Sequence, residues 1–179
     1  MGAHGASGHR KHARGGLSLA PDEVRTLKEM SAAHYLPLPL VRQAGNNGNR
    51  SITRSQIELV AGRVSALNEC YYFHAESVNV GAMMDGSNPK NIEHGDELLQ
   101  LAEAVFDADE STLAPARDAA VAALGTEGMI DAVGVATNFM RMVRIADSTG
   151  ITLGAMESKT EDLRDALGIN QFAPEGQAN

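Results

Sequence analysis

Thr53-Arg-Ser-Gln56 is a capping box, in which a threonine hydroxyl and a glutamine amide oxygen each satisfy a backbone donor left free at a helix start. Behind it, Ile57, Val60, Ala61, Val64 and Leu67 recur three and four residues apart, the period of one buried helix stripe. Arg54 and Arg63 are expected to face water, and Glu58 lies beside the stripe. This segment commits the chain to helical packing. No stretch alternates as a half-buried strand does, and no repeat of about 20–50 residues occurs. Only seven of the 179 residues are aromatic and none is Trp, so Ala, Val, Leu, Ile and eight Met have to fill the core. Close-packed helices suit that palette better than a β-sandwich. The fold class expected is all-α, in a single domain spanning 17–170.

Other elements follow from local signals. Ala20-Pro21-Asp22-Glu23 opens a helix to about His34, with Pro in the first turn and acids at the positive dipole end. Leu36-Pro-Leu-Pro-Leu40 forces an extended or tight passage before a short helix, and Gly45 to Asn49 is a turn cluster. Asn68 and Glu69 interrupt the capped helix, after which Cys70 to about Met83 has a helical composition that Asp85 to Pro89 ends. A helix is expected from Asn91 to about Ala108, with Leu98, Leu99, Ala102, Val105 and Phe106 inward. Pro115 fits a first helical turn, and the Ala-rich stretch behind it stops at Gly125. From Thr126 to about Ser148 runs the longest helix, with Ile130, Val133, Ala136, Thr137, Met140 and Val143 on one side. Gly128 and Gly134 reduce its propensity, which points to close packing at both. Thr160-Glu-Asp-Leu begins a last short helix, and 171–179 is expected to fray.

Charge narrows the partners. Residues 1–16 carry Arg10, Lys11 and Arg14 and no acid, so with that expected disordered tail set apart the net charge of minus eight becomes minus eleven over 17–179. An acidic body with few aromatics argues against nucleic acid. A lone cysteine cannot make an internal disulfide, so a reducing cytoplasm is the expected compartment. No apolar run reaches the length of a membrane span, and no membrane partner is expected. The tail's His4, His9 and His12 are poorly pre-organised for metal.

The chemistry concentrates in Ser65 to Ser77, where Cys70 and His74 stand four apart and would share a helix face. Tyr71, Tyr72 and Phe73 add three of the seven aromatics, a lining suited to a small organic substrate. An inert core cysteine and a structural histidine are the plain alternatives. Glu58, Cys70 and His74 are also plausible metal donors, but their spacing matches no metal motif, so no metal and no cofactor is expected. Arg141 and Arg144 are candidates for holding a substrate carboxylate.

Glu58-Leu-Val and Val64-Ser-Ala-Leu-Asn-Glu-Cys70-Tyr-Tyr72 resemble the glutamate helix and the Asn-x-Cys-x-Tyr-Cys-x-x-x-His box of the carboxymuconolactone decarboxylase and alkylhydroperoxidase D-like (AhpD-like) superfamily. Leu98-Leu-Gln-Leu-Ala-Glu103, Ile130-Asp-Ala-Val133 and Val143-Arg-Ile-Ala-Asp-Ser-Thr-Gly150 are similar to its later helices, and the resemblance spans about 35–153. It implies an AhpD-like helical bundle assembling as a dimer, trimer or hexamer. It also implies that Cys70 matches the first redox cysteine and Glu58 the glutamate, while Phe73 replaces the second cysteine and Ser77 the histidine. In a second register, Cys70 is the second cysteine, Leu67 replaces the first, and His74 falls at the histidine spacing.

Three functions remain open. The first is a peroxide or disulfide oxidoreductase in which Cys70 is the reacting thiol, Glu58 and His74 handle protons, Tyr72, Phe73 and Ser77 line the substrate, and an external thiol resolves the oxidised sulfur. The second is a decarboxylase-like lyase or isomerase using Glu58 or His74 on a small carboxylated or lactone substrate held by Arg141 or Arg144. The third is a non-catalytic relative that binds a ligand or a protein partner.

Overall fold

Thr53 and Gln56 form the reciprocal cap that the sequence calls for: the Gln56 amide donates to Thr53 Oγ1 at 3.3 Å and the Thr53 amide to Gln56 Oε1 at 2.8 Å. They start the central helix of a computed structural model that describes residues 20–43, 45–71, 86, 88, 92–151, 153, 157–166 and 168–173. Every regular element among these residues is helical: α1 (Pro21–His34), α2 (Leu38–Val41), α3 (Arg54–Leu67), α4 (Gly95–Asp107), α5 (Glu110–Thr149), α6 (Glu161–Ala166) and a 3-10 turn (Ile169–Phe172). The chain is an all-α bundle. The expected helix over 70–83 lies outside the described residues, apart from Cys70 and Tyr71.

Helix α3 is buried nearly all round, with Ile57, Leu59, Val60, Ala61 and Val64 at 2% exposure or less. Helices α4 and α5 pack on it. Gln56 reaches the Glu93 carbonyl and Arg63 pairs with Glu103, so α3 and α4 run parallel. Ser51 bonds Asp131 and Cys70 bonds Asp147, so the second half of α5 also runs parallel to α3. Ser31 meets Asn138 while His34 lies beside Gly134, which makes α1 antiparallel to α5.

Arginines hold the connections. Arg50 pairs with Asp131 and donates to the Ala32, Ala33 and Tyr35 carbonyls, closing the end of α1. Arg54 does the same for α2 through the Leu40 and Val41 carbonyls while its Nε meets Glu58. Arg54 and Arg63 were expected in water, yet their side chains are only 16% and 13% exposed. Local periodicity could not reveal this, because their partners come from α2 and α4.

Three expectations for α5 are corrected. Pro115 lies inside the helix, since Asp109 caps it earlier by accepting the Ser111 amide at 2.9 Å. Ile130 and Thr137 face out, with Ile130 59% exposed, and the buried stripe is Ala132, Val135, Ala136, Phe139, Val143 and Ala146. Val133 and Met140 flank that stripe, so an apolar pattern wider than one face left its centre ambiguous. The helix is also long and apolar enough, by length and composition alone, to cross a membrane, and 28% of the qualifying stretch is buried. Glu127 and Asp131 interrupt the apolar residues, which kept any unbroken run from standing out in the sequence.

The Ala-rich stretch does stop at Gly125, which leaves helical geometry at φ 75 and ψ 169 and turns the axis of α5. Only glycine adopts that conformation freely. Gly125→Ala is expected to lower stability by about 1–3 kcal/mol from backbone strain, since an added Cβ meets nothing within 4 Å. Gly134→Ala, whose Cβ would sit 3.8 Å from His34, is expected to be neutral or stabilising. Urea unfolding of the pair separates strain from space. Close packing is real at Gly128, where a Cβ would lie 2.8 Å from Leu124 and 3.4 Å from Ile52, but not at Gly134.

Candidate functional site

Cys70 is delivered by the way α3 ends. Asn68 caps the helix, its side-chain amide donating to the Val64 carbonyl at 2.7 Å, and Glu69 takes a left-handed φ of 55. The Cys70 amide then donates to the Ser65 carbonyl at 3.2 Å. This turn presses Cys70 onto α5, against Val143 and Ala146, with Ile151 alongside. The sulfur-bearing residue is fully buried, at 0% exposure. Its thiol donates to Asp147 Oδ1 at 3.2 Å. Asp147 itself is exposed, so the pair links a dry sulfur to a solvated carboxylate. Chemically this is a nucleophile within reach of a proton acceptor.

Tyr71, the next residue, is 5% exposed and held from the C-terminal side. Arg164, 6% exposed, donates to the Tyr71 hydroxyl, to Asn170 Oδ1 at 2.7 Å, to the Glu157 carbonyl at 2.8 Å and to Thr160 Oγ1 at 3.3 Å. Its guanidinium carbon also lies 5.4 Å from the centre of the Tyr71 ring. Burial pushes the Tyr71 phenol above its ordinary range, opposed by the nearby Arg164 charge. The phenol therefore stays neutral at physiological pH.

Glu58 stands elsewhere. It accepts from the Tyr35 hydroxyl and from Arg54 Nε, both at 2.7 Å. Tyr35 packs edge-on against Phe139, ring centres 5.0 Å apart. Nine residues of α3 separate Glu58 from the end of that helix, a rise of about 14 Å. Glu58 and Cys70 thus occupy opposite ends of α3 with different partners.

Arg141 bridges α5 and α1. Its Nη2 donates to Asn138 Oδ1 at 2.7 Å and to Ser31 Oγ at 3.3 Å, while its Nε and Nη1 are buried with no hydrogen-bond partner. Burial holds its guanidinium below the ordinary arginine range. Ser31 lies one turn before Tyr35, whose amide donates to the Ser31 carbonyl at 2.9 Å. Two residues of helix turn Arg141 by about 200° from Val143, so it projects away from Cys70. Arg144 is exposed.

Cys70, Glu58 and Arg141 are thus held by different partners: Asp147 for Cys70, Arg54 and Tyr35 for Glu58, Asn138 and Ser31 for Arg141. His74, Tyr72, Phe73 and Ser77 lie outside the described residues. Among the described residues no three His, Cys, Asp or Glu side chains gather as a metal would need. A cleft of about 380 Å³ between α4 and α5, lined by Glu103, Asp107, Ser111 and Thr112 among others, includes none of the candidates. Asp147, Tyr35 and Arg164 were missed in the sequence. Asp147 had a signal, because it falls four residues after Val143 within the Val143 to Gly150 segment already singled out. In comparisons with protein-family models, curated proteins and solved structures, the chain matches none.

Proposed function

We propose that the protein is a thiol-dependent peroxide or disulfide oxidoreductase of the AhpD-like kind, with Cys70 as its reacting sulfur and Asp147 as the proton acceptor. The observation that carries this is the 3.2 Å bond from the Cys70 thiol to Asp147. Asp147 takes the thiol proton as sulfur attacks the outer oxygen of a peroxide. The O–O bond breaks, water or an alcohol leaves with that proton, and Cys70 becomes a sulfenic acid. With Phe73 at the resolving position, an external thiol attacks this sulfur, water departs, and a mixed disulfide forms. A second external thiol releases Cys70 and carries away the disulfide. One peroxide is reduced and two thiols are oxidised per turn. Such donors abound in a reducing cytoplasm, the proposed compartment.

Peroxide-dependent oxidation of a small dithiol by the purified protein, lost in Cys70→Ser, is the expected result. Equal turnover by Cys70→Ser would remove this reading. The proposed assembly as a homo-oligomer follows from the sequence resemblance. A monomer in sedimentation at micromolar concentration would count against it.

One observation favours a second reading, acid–base chemistry on a carboxylated substrate. The unpaired Nε and Nη1 of Arg141 suit a carboxylate, and Glu58, which accepts from the Tyr35 hydroxyl, is a candidate proton-handling group. Its mark is a lyase or isomerase activity that survives Cys70→Ser and is lost in Glu58→Gln.

A further inference from the structure

Ser31 of α1 meets Asn138, Arg141 and Met142 of α5, and the group has hydrogens to donate and little to accept them. Arg141 Nη2 donates to Asn138 Oδ1 at 2.7 Å and to Ser31 Oγ at 3.3 Å. The Ser31 hydroxyl in turn faces Asn138 Oδ1 at 3.4 Å and the Met142 sulfur at 3.7 Å, and the Asn138 side-chain nitrogen donates to the same sulfur at 3.2 Å. A thioether is a weak acceptor. Arg141 Nε and Nη1 are out of solvent and have no acceptor among the described residues. Arg50, Arg54 and Arg63 each pair with a carboxylate, whereas no carboxylate among the described residues pairs with Arg141. Donors and a positive charge withdrawn from water without partners are costly, and native proteins rarely keep them without a functional reason.

We infer that this seam between α1 and α5 binds the oxyanion group of a small ligand, a carboxylate or a phosphate, with Arg141 as the cation that receives it and Ser31 and Asn138 as flanking donors. The inference deepens the second reading, and rests on it for the ligand's role as substrate. An oxyanion supplies strong acceptors and the missing negative charge together. Ser31 and Arg141 are part-exposed while Asn138 is buried at 1%, so the site lies just beneath the surface. Met142 is part-exposed too, and its unbranched thioether chain shifts easily. A ligand oxygen that takes the place of the sulfur gives Ser31 and Asn138 a stronger acceptor. Because Ser31 belongs to α1 and the other donors to α5, an occupant joins the two helices and stabilises the folded chain by mass action.

Thermal melting of the full chain at constant ionic strength, in chloride, acetate, succinate or inorganic phosphate, tests this. At about ten times its dissociation constant, a bound oxyanion should raise the melting temperature saturably by about 3–6 °C over chloride. Phosphate stabilises folded proteins in general, so the decisive quantity is the saturable part that depends on Arg141. Arg141→Gln should lose it, and Arg141→Lys and Ser31→Ala should keep less than half. Arg117→Gln, which removes the same charge from an exposed position on α5, should keep it whole. A rise with acetate and succinate alone assigns a carboxylate ligand, and a rise with phosphate alone assigns a phosphate ligand. No saturable rise with any of the three, or an equal rise in Arg141→Gln, would overturn the site. Should Arg141→Gln fail to fold, an undiminished rise in both Arg141→Lys and Ser31→Ala would overturn it instead. Saturable binding without lyase or isomerase turnover would support the site while removing the second reading. Turnover of a carboxylated substrate with a KM unchanged in Arg141→Gln would keep that reading and overturn the site.

Discussion

Asp147→Asn is expected to slow the oxidation of Cys70 by peroxide at least tenfold at neutral pH, measured as the second-order rate of thiol loss. Two effects of the substitution oppose each other. Removing a carboxylate 3.2 Å from the sulfur favours the thiolate, which by itself would speed the reaction. Asp147 is exposed, so solvent and salt screen its charge and hold that gain to about tenfold or less. Removing the group that takes the proton opposes it, and positioned general bases contribute roughly 10²–10⁴-fold. The base wins on magnitude. An asparagine still accepts a hydrogen bond but takes no proton, so the deficit should shrink in alkaline solution, where hydroxide deprotonates the thiol unaided. A faster Asp147→Asn variant would mean that the carboxylate restrains Cys70 and does not serve it.

Leu59→Ala carries the largest expected effect on stability, a loss of about 3–4 kcal/mol with a fall in melting temperature of about 10 °C. Leu59 is at 0% exposure on a helix whose Ile57, Val60, Ala61 and Val64 are buried as well. Its neighbours come from a helix packed on more than one side, so the cavity has little room to collapse. Urea unfolding with an unchanged slope would give the number directly. A loss below about 1 kcal/mol would show that α3 is not the centre of the core.

What could be read from the sequence divides along the range of the interactions. The capping box of Thr53 and Gln56 is reciprocal and spans one turn, so the residues alone specify it. The end of α3 at Asn68 and the break at Gly125 are local too, each set by the backbone its own residues favour. Arg63 was unreadable because Glu103 is forty positions away. The face of α5 was misjudged for a different reason. Ile130 is large and apolar yet outward, while the small Ala132 and Ala136 lie at the contact, so size did not mark the buried side. At the site, Cys70 stood out as the lone thiol, but Asp147 could be tied to it only once α3 and the second half of α5 were known to run parallel. Glu58 looked like a partner of Cys70 by sequence resemblance. Its partners are Arg54 and Tyr35, which close α2 and brace Phe139.

The central claim concerns one sulfur. Mass spectrometry of Cys70 after brief exposure of the folded protein to mild peroxide, with and without an external thiol, tests it most directly. The account predicts a sulfenic acid on Cys70 when no thiol is present and a mixed disulfide or restored thiol when one is. An unmodified Cys70 under both conditions would contradict it.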